Sequence, residues 1–179
     1  MAHDPYANLP EAPTFTLTST SLEDGATMPR AQVSGASGPG GDDALPQLTW
    51  RGAPEGTKSF VLTMYDPDAP TVSGFWHFAA FGIPADVTAL PEGAVALEEV
   101  REGFPSDATI LTNDGGTRGF LGAAPPPGDA PHRYIIAVQA LDTNELDIPA
   151  DATPAFLQFN LLGHVLGRAF LTGTFGYDD

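Results

Sequence analysis

The side chains of this sequence that could bind a small molecule lie in three short segments. Asp66 lies in MYDPDAP, His77 lies inside the apolar run FWHF, and His132 and Tyr134 open the run HRYIIAV. Imidazole and phenol groups donate hydrogen bonds, and a nearby carboxylate can orient a histidine and raise its basicity. Because His132 and Tyr134 are two residues apart, a strand would direct both to one face. The segments therefore predict a compact set of donors for a small anion.

Other interpretations of these residues stay open. Asp66, His77 and His132 also fit a mononuclear metal site, although the sequence has no closely spaced ligand pair such as HxH. Taken singly, His77 would fit a buried packing role and His132 a loop end. Asp68 is expected to be a turn residue whose carboxylate accepts backbone N–H groups. His164 is expected to be a packing or helix-surface residue.

The segments must be positioned by strands. Runs rich in apolar, β-branched and aromatic residues are separated by Gly- and Pro-containing turns, and no helical crossover lies between them. This pattern favours an antiparallel β-sandwich over a parallel α/β sheet. The predicted strands are 15–22, 48–50, 58–65, 75–83, 108–114 and 133–141.

The last part of the chain differs. In DATPAFLQFNLLGHVLGRAFLTG, Thr153 is the expected N-cap, Pro154 the first helical residue, and leucines recur four residues apart. The pattern predicts a C-terminal α-helix of roughly sixteen to nineteen residues that stops at Gly173. The expected fold is thus mainly β, with residues 1–13 as an N-terminal arm and 14–179 as a single domain.

Composition excludes several classes of function. The 179 residues carry a formal net charge of -16 with a pI near 4.2, which argues against binding to nucleic acid or anionic lipid surfaces. There is no cysteine, no phosphate-binding glycine loop, and no GxGxxG, GxSxG or HExxH motif. Neither a basic, apolar leader nor a membrane-length apolar run is present, so the expected location is the cytoplasm without membrane insertion.

Three blocks of the sequence resemble the phosphatidylethanolamine-binding protein family, in its bacterial and archaeal Raf-kinase-inhibitor-like branch. They are LPQLTWRGAPEGTKSFVLTMYDPDAPT, GFWHFAAFGIP and NDGGTRGFLGAAPPPGDAPHRYIIAVQALD. The C-terminal LTGTF also fits, so the resemblance spans about residues 14 to 175. DPDAP followed by WH and then PPxG with HRY is a specific combination.

The resemblance implies a β-sandwich with a small pocket at one rim that accepts phosphate-like anions or phospholipid head groups, without a cofactor or a metal. It also implies a non-catalytic role in which a kinase or protease partner is modulated, and a homodimer would suit this branch. Ala124 and Phe120 depart from the family pattern and are expected to narrow or dry the pocket. The pocket residues carried over are Asp66, His77, His132 and Tyr134, with Phe75, Gly122, Ala124, Pro125 and Pro126 as walls.

Two alternatives to this function are a small acid–base or metal-dependent enzyme built on Asp66, His77, His132 and Tyr134, and an interaction protein whose pocket is vestigial. A carboxylate beside a bound phosphate should repel it. We therefore expect Asp66 either to bond a histidine or to pair with an amine on the ligand.

Overall fold

The structure, a computed structural model, describes residues 3–36 and 40–177. The first two residues of the predicted arm and the last two of the predicted domain lie outside the described residues. Within the described ranges no helix is long and apolar enough to cross a membrane. The strands are β1 Thr16–Thr18, β2 Leu48–Arg51, β3 Ser59–Asp66, β4 Phe75–Pro84, β5 Ala89–Leu90, β6 Val95–Ala96, β7 Glu99–Val100, β8 Thr109–Ile110, β9 His132–Leu141 and β10 Val165–Phe175, with a 3-10 helix at Arg30–Gln32 and helix α1 at Pro154–Asn160.

Two antiparallel sheets form the sandwich. One has the strand order β10-β9-β3-β4-β8, and the smaller one has the order β1-β2-β5. Alternate residues of β3 and β9 face the smaller sheet, so that Leu62 and Val138 pack in one core with Trp50. The prediction of a mainly β, antiparallel sandwich is confirmed.

Helix α1 covers part of the other face of the five-stranded sheet. Its Leu157 and Leu161 pack against Val61 and Phe81 in a second core. The predicted N-cap is confirmed, because the Thr153 hydroxyl accepts a hydrogen bond from the Phe156 N–H at 3.1 Å.

The predicted length of the C-terminal helix is wrong. The helix ends at Asn160, and Val165–Phe175 pairs with β9 along its whole length. Gly163 has a φ of 89°, a conformation that breaks the helix. In β10, the alternate residues Ala169 and Leu171 are buried in the sandwich core. The apolar residues predicted to form one face of a helix therefore form one face of a strand.

The order of strands brings three separate segments to one rim. β9, β3 and β4 are neighbours, and each pair is antiparallel. The start of β9 therefore lies beside the end of β3 and the start of β4. Because of this register, His132, Asp66 and His77 come from different parts of the sequence but meet at one edge.

Candidate functional site

Asp66 organises the rim through both carboxylate oxygens. Its side chain is buried, with 2% of the residue exposed. Oδ2 lies 2.8 Å from Nδ1 of His132, and Oδ1 accepts hydrogen bonds from the N–H groups of Asp68 at 2.8 Å and Ala69 at 3.0 Å. An ionised carboxylate only accepts, so Nδ1 of His132 carries the proton of this bond. Asp66 thus fixes the turn that follows β3 and orients the His132 ring.

The second ring nitrogen of His132 is available for a ligand. Nε2 lies 3.4 Å from Oδ2 of Asp129, a carboxylate whose side chain is 42% exposed. With Nδ1 protonated, a neutral ring offers Nε2 only as an acceptor, and an imidazolium offers it as a donor. His132 therefore acts as an anion donor only in its charged form.

His77 has a different chemical character. Its Nδ1 lies 3.0 Å from the carbonyl oxygen of Leu121, which can only accept, so Nδ1 is the donor. Burial lowers the pKa of His77, so the ring is neutral near pH 7 and its Nε2 is an acceptor. The sequence suggested two imidazoles that both donate to an anion, whereas in the structure the Nε2 of His77 is an acceptor.

Tyr134 lies beneath His77. The two rings meet edge to face with centroids 5.1 Å apart, and Tyr134 is fully buried. Its hydroxyl is close to the backbone of Ala124 but forms no hydrogen bond of normal geometry. Burial raises the pKa of Tyr134 above its usual value, which keeps the phenol neutral. Its buried position supports the His77 ring from behind.

A cavity of about 210 Å³ opens between the loop after β3 and the loop before β9. We call it the rim cavity. Its walls are mostly apolar, and its polar groups come from the two histidines, Asp66 and Thr71. Among the described residues, no group of three or more His, Asp or Glu side chains is arranged to hold a metal ion. The rim cavity is lined by Asp66, Ala69, Pro70, Thr71, Phe75, His77, Leu121, Ala124, Pro126 and His132.

Most predicted site residues line the rim cavity, but Gly122, Pro125 and Tyr134 do not. Gly122 instead donates its N–H to Oδ1 of Asp43 at 2.7 Å and packs against the backbone of Val33. Pro125 is buried behind the loop. Hydrogen bonds from Gly122 to Asp43 and between Ala123 and the residues around Val33 hold the loop against the segment after the 3-10 helix. The sequence analysis did not name Ala69, Pro70, Thr71 and Leu121 as site residues, although each lies inside a quoted motif.

The remaining polar residues of these motifs have structural partners. Asp68 accepts the backbone N–H of Arg133 at 2.9 Å, as expected of a turn acceptor, and also binds its guanidinium at 2.8 and 2.7 Å. Arg133 holds the pKa of Asp68 below its usual value. His164 lies at the surface between α1 and β10, with Nδ1 2.8 Å from Oδ1 of Asp142.

The burial of His77 predicts a pH-dependent stability. Because the pKa of the folded ring is lowered, the unfolded chain takes up this proton first as the pH falls. Below about pH 6.5 the free energy of unfolding of the wild type should therefore fall, relative to that of His77→Gln, by up to about 1.4 kcal/mol per pH unit. The fall should stop once the folded ring is also protonated. Urea unfolding of both proteins between pH 5 and 8 measures this difference, since glutamine can still donate to the Leu121 carbonyl but does not titrate.

The control for this experiment is His3→Gln, because His3 is exposed in the arm. The free energy of unfolding of this variant should change with pH as that of the wild type does. If His77→Gln also showed the pH dependence of the wild type, the lowered pKa of His77 would be contradicted.

Comparisons with known proteins fit this geometry. The model of the family described as "Phosphatidylethanolamine-binding protein" matches residues 18–176. The chain is 42% identical to UPF0098 protein YbhB of Escherichia coli over 159 residues, covering 89% of this chain and 98% of that protein. The crystal structure of E. coli YbcL superimposes with a TM-score of 0.86 at 38% identity, covering 92% of this chain and 99% of that one. A homologue from Chlamydia trachomatis, CT736, gives a TM-score of 0.75 at 27% identity, covering 93% and 100% of the two chains.

Proposed function

The chain belongs to the phosphatidylethanolamine-binding protein family, and from this premise we propose that the rim cavity binds a small phosphate-containing group without transforming it. The observation that carries the proposal is the 2.8 Å contact between Asp66 and His132. The carboxylate accepts from Nδ1 and so fixes the His132 ring as a wall of the rim cavity, in a protein with a formal net charge of -16. The anion is then held by a local donor against the overall negative field.

The two histidines specify what the ligand must offer. His132 as an imidazolium supplies a donor for a phosphate oxygen, whereas neutral His77 needs a donor from the ligand. A monoprotonated phosphate, or a phosphate next to an ammonium group, meets both needs. The apolar walls from Phe75, Leu121 and Pro126 suit the methylene groups of such a head group. Phosphoethanolamine combines all three features.

A protein partner is the second part of the proposal. The family membership supports a kinase or protease whose activity is modulated by binding, and a phosphorylated side chain would offer the same chemistry as the head group. The paired Asp66 and His132 could equally serve as an acid–base unit, so the enzyme alternative is tested with the same variants.

Phosphoethanolamine binding measured by calorimetry tests the proposal. His132→Asn should weaken binding at pH 6 by at least about tenfold, since it removes the ring whose Nε2 faces the ligand as donor. His164→Asn is the matched control, because His164 also contacts a carboxylate but lies at the surface away from the rim cavity; its affinity should equal that of the wild type.

Two results would overturn the proposal. One is an affinity that does not change on His132→Asn. The other is hydrolysis of p-nitrophenyl phosphate by the wild type that is lost in His132→Asn, which would identify an enzyme instead of a binding protein.

A further inference from the structure

Arg168 is a buried cation on the other side of the five-stranded sheet. Only 8% of the residue is exposed, and within residues 3–36 and 40–177 no carboxylate oxygen lies within 4.0 Å of its guanidinium. In β10 it pairs with Gln139 of β9. Gln139 is seven positions along β9 from His132, which puts the two sites about 23 Å apart on opposite faces. Arg168 is therefore separate from the rim cavity.

The hydrogen bonds of Arg168 leave its charge uncompensated. Nη1 donates to the carbonyl oxygen of Pro10 at 2.8 Å, and Nε lies 3.4 Å from Oε1 of Gln139. A guanidinium carries five N–H donors, so these two neutral acceptors satisfy only part of the group. Burial lowers the pKa of Arg168, which reflects the cost of keeping a charge there. Buried charges in proteins are normally paired, so this arrangement points to an anion that the chain itself does not supply.

Two buried donors beside Arg168 also have no hydrogen-bond partner among the described residues. Nε2 of Gln139 donates to Oε1 of Gln158 at 2.9 Å, which leaves Nε2 of Gln158 buried with no acceptor among the described residues. The Tyr6 hydroxyl is also buried, close to the Thr63 hydroxyl but without a hydrogen bond of normal geometry between them. A site that holds a cation and unused N–H and O–H donors, with no carboxylate oxygen within 4.0 Å of the cation among the described residues, is chemically suited to an acceptor with negative charge.

Space for such a group is present beside Arg168. A cavity of about 110 Å³ lies between the N-terminal arm and the end of α1, and we call it the arm cavity. A larger groove of about 570 Å³ runs along the arm and shares Arg168 as a wall. Tyr6 packs against Phe170 at 4.8 Å in that groove, so the arm is a fixed wall. The walls of the arm cavity include Leu9, Glu11, Gln158, Leu162, Val165 and Arg168.

We propose that Arg168 and Gln158 bind the carboxylate of a small aliphatic acid in the arm cavity. The planar guanidinium fork matches the two oxygens of a carboxylate, and Nε2 of Gln158 supplies a further donor. A carboxylate carries one negative charge, which balances the one cation, whereas a phosphate dianion would leave charge unpaired in an acidic protein. The leucine and valine walls favour a short alkyl chain on the acid.

Glu11 is the internal competitor for this role. It is exposed, lines both the arm cavity and the groove, and forms no ion pair with Arg168. Its carboxylate could reach the guanidinium only by rearrangement of the arm. The test below therefore includes Glu11→Gln.

The probe is sodium butyrate, followed by NMR through the side-chain amide of Gln158 and the Nε–H of Arg168. We expect saturable shifts of both resonances at millimolar butyrate, and none with the neutral isostere butyramide. Arg168→Lys and Gln158→Leu should each weaken binding by about tenfold, because the first removes the planar fork and the second one donor. Gln158→Leu keeps the contact between Arg168 and Pro10, so it separates loss of the site from detachment of the arm.

The control variant is Arg118→Lys, because Arg118 donates to the carbonyl of Ala150 and lines neither the arm cavity nor the groove. It should bind butyrate like the wild type. The proposal is overturned if no saturable shift occurs, if butyramide produces the same shifts, or if both site variants bind as the wild type does. It is also overturned if Glu11→Gln alone moves the Arg168 Nε–H resonance, which would identify Glu11 as the natural partner.

Discussion

Replacing Asp66 with alanine is expected to lower the free energy of unfolding by about 3–5 kcal/mol and to abolish phosphoethanolamine binding. The Asp66 carboxylate is buried and accepts from the His132 ring and from two backbone N–H groups. Its removal leaves these donors without acceptors in a place that water hardly reaches. The ring also loses the acceptor that orients it. Urea unfolding measures the first effect, and calorimetric titration measures the second.

Two variants separate the causes of this loss. Asp66→Asn keeps an oxygen for the two backbone N–H groups but no charge for His132, so it should retain more stability than alanine while still failing to bind. Asp68→Asn is the control, because the Asp68 side chain is 31% exposed and its ion pair with Arg133 contributes about 1 kcal/mol or less. If Asp66→Ala cost no more stability than Asp68→Asn, the buried pair would not be the structural centre of the rim.

The central strands of this fold are predictable from sequence because the β-propensity of their residues agrees with their buried position in the sheet. β3, β4 and β9 are long apolar runs with β-branched and aromatic residues, and they become the interior strands of the large sheet. The end of the chain is different, because Leu157, Leu161 and Val165 fit a helical period while Ala169 and Leu171 also fit a strand. The pairing of β10 with β9 decides between them, and this is a tertiary interaction that no local window contains.

The candidate site can be predicted from the sequence only as far as the order of the strands in the sheet can be predicted. Asp66, His77 and His132 end up together because β9, β3 and β4 are adjacent. Their charge states depend on burial and on partners such as the Leu121 carbonyl, which the sequence does not specify. The same limit applies to Arg168, because the sequence does not reveal that none of the carboxylates in residues 3–36 and 40–177 pairs with it.

The Leu121–Pro126 loop packs against the backbone of Val33 and Ser34 at Gly122. Replacing Gly122 with alanine is therefore expected to lower the free energy of unfolding by roughly 3 kcal/mol, the upper part of the range for overpacking. A Cβ at Gly122 would lie 2.3 Å from the carbonyl carbon of Val33 and 2.5 Å from the N of Ser34. These are backbone atoms, and they cannot move away easily because the Ser34 N–H donates to the carbonyl of Ala123 at 3.0 Å.

The same substitution should also reach the rim cavity. Displacing the loop moves the carbonyl of Leu121 away from Nδ1 of His77, so that phosphoethanolamine binding weakens together with stability. Gly116→Ala is the control, because its φ of 82° strains an alanine but nothing lies within 4 Å of the added Cβ; it should cost only about 1–2 kcal/mol. Unfolding in urea ranks the two variants. If Gly122→Ala proved milder than Gly116→Ala, the loop would be free to move away from Val33, and the fixed wall on which the rim cavity depends would not exist.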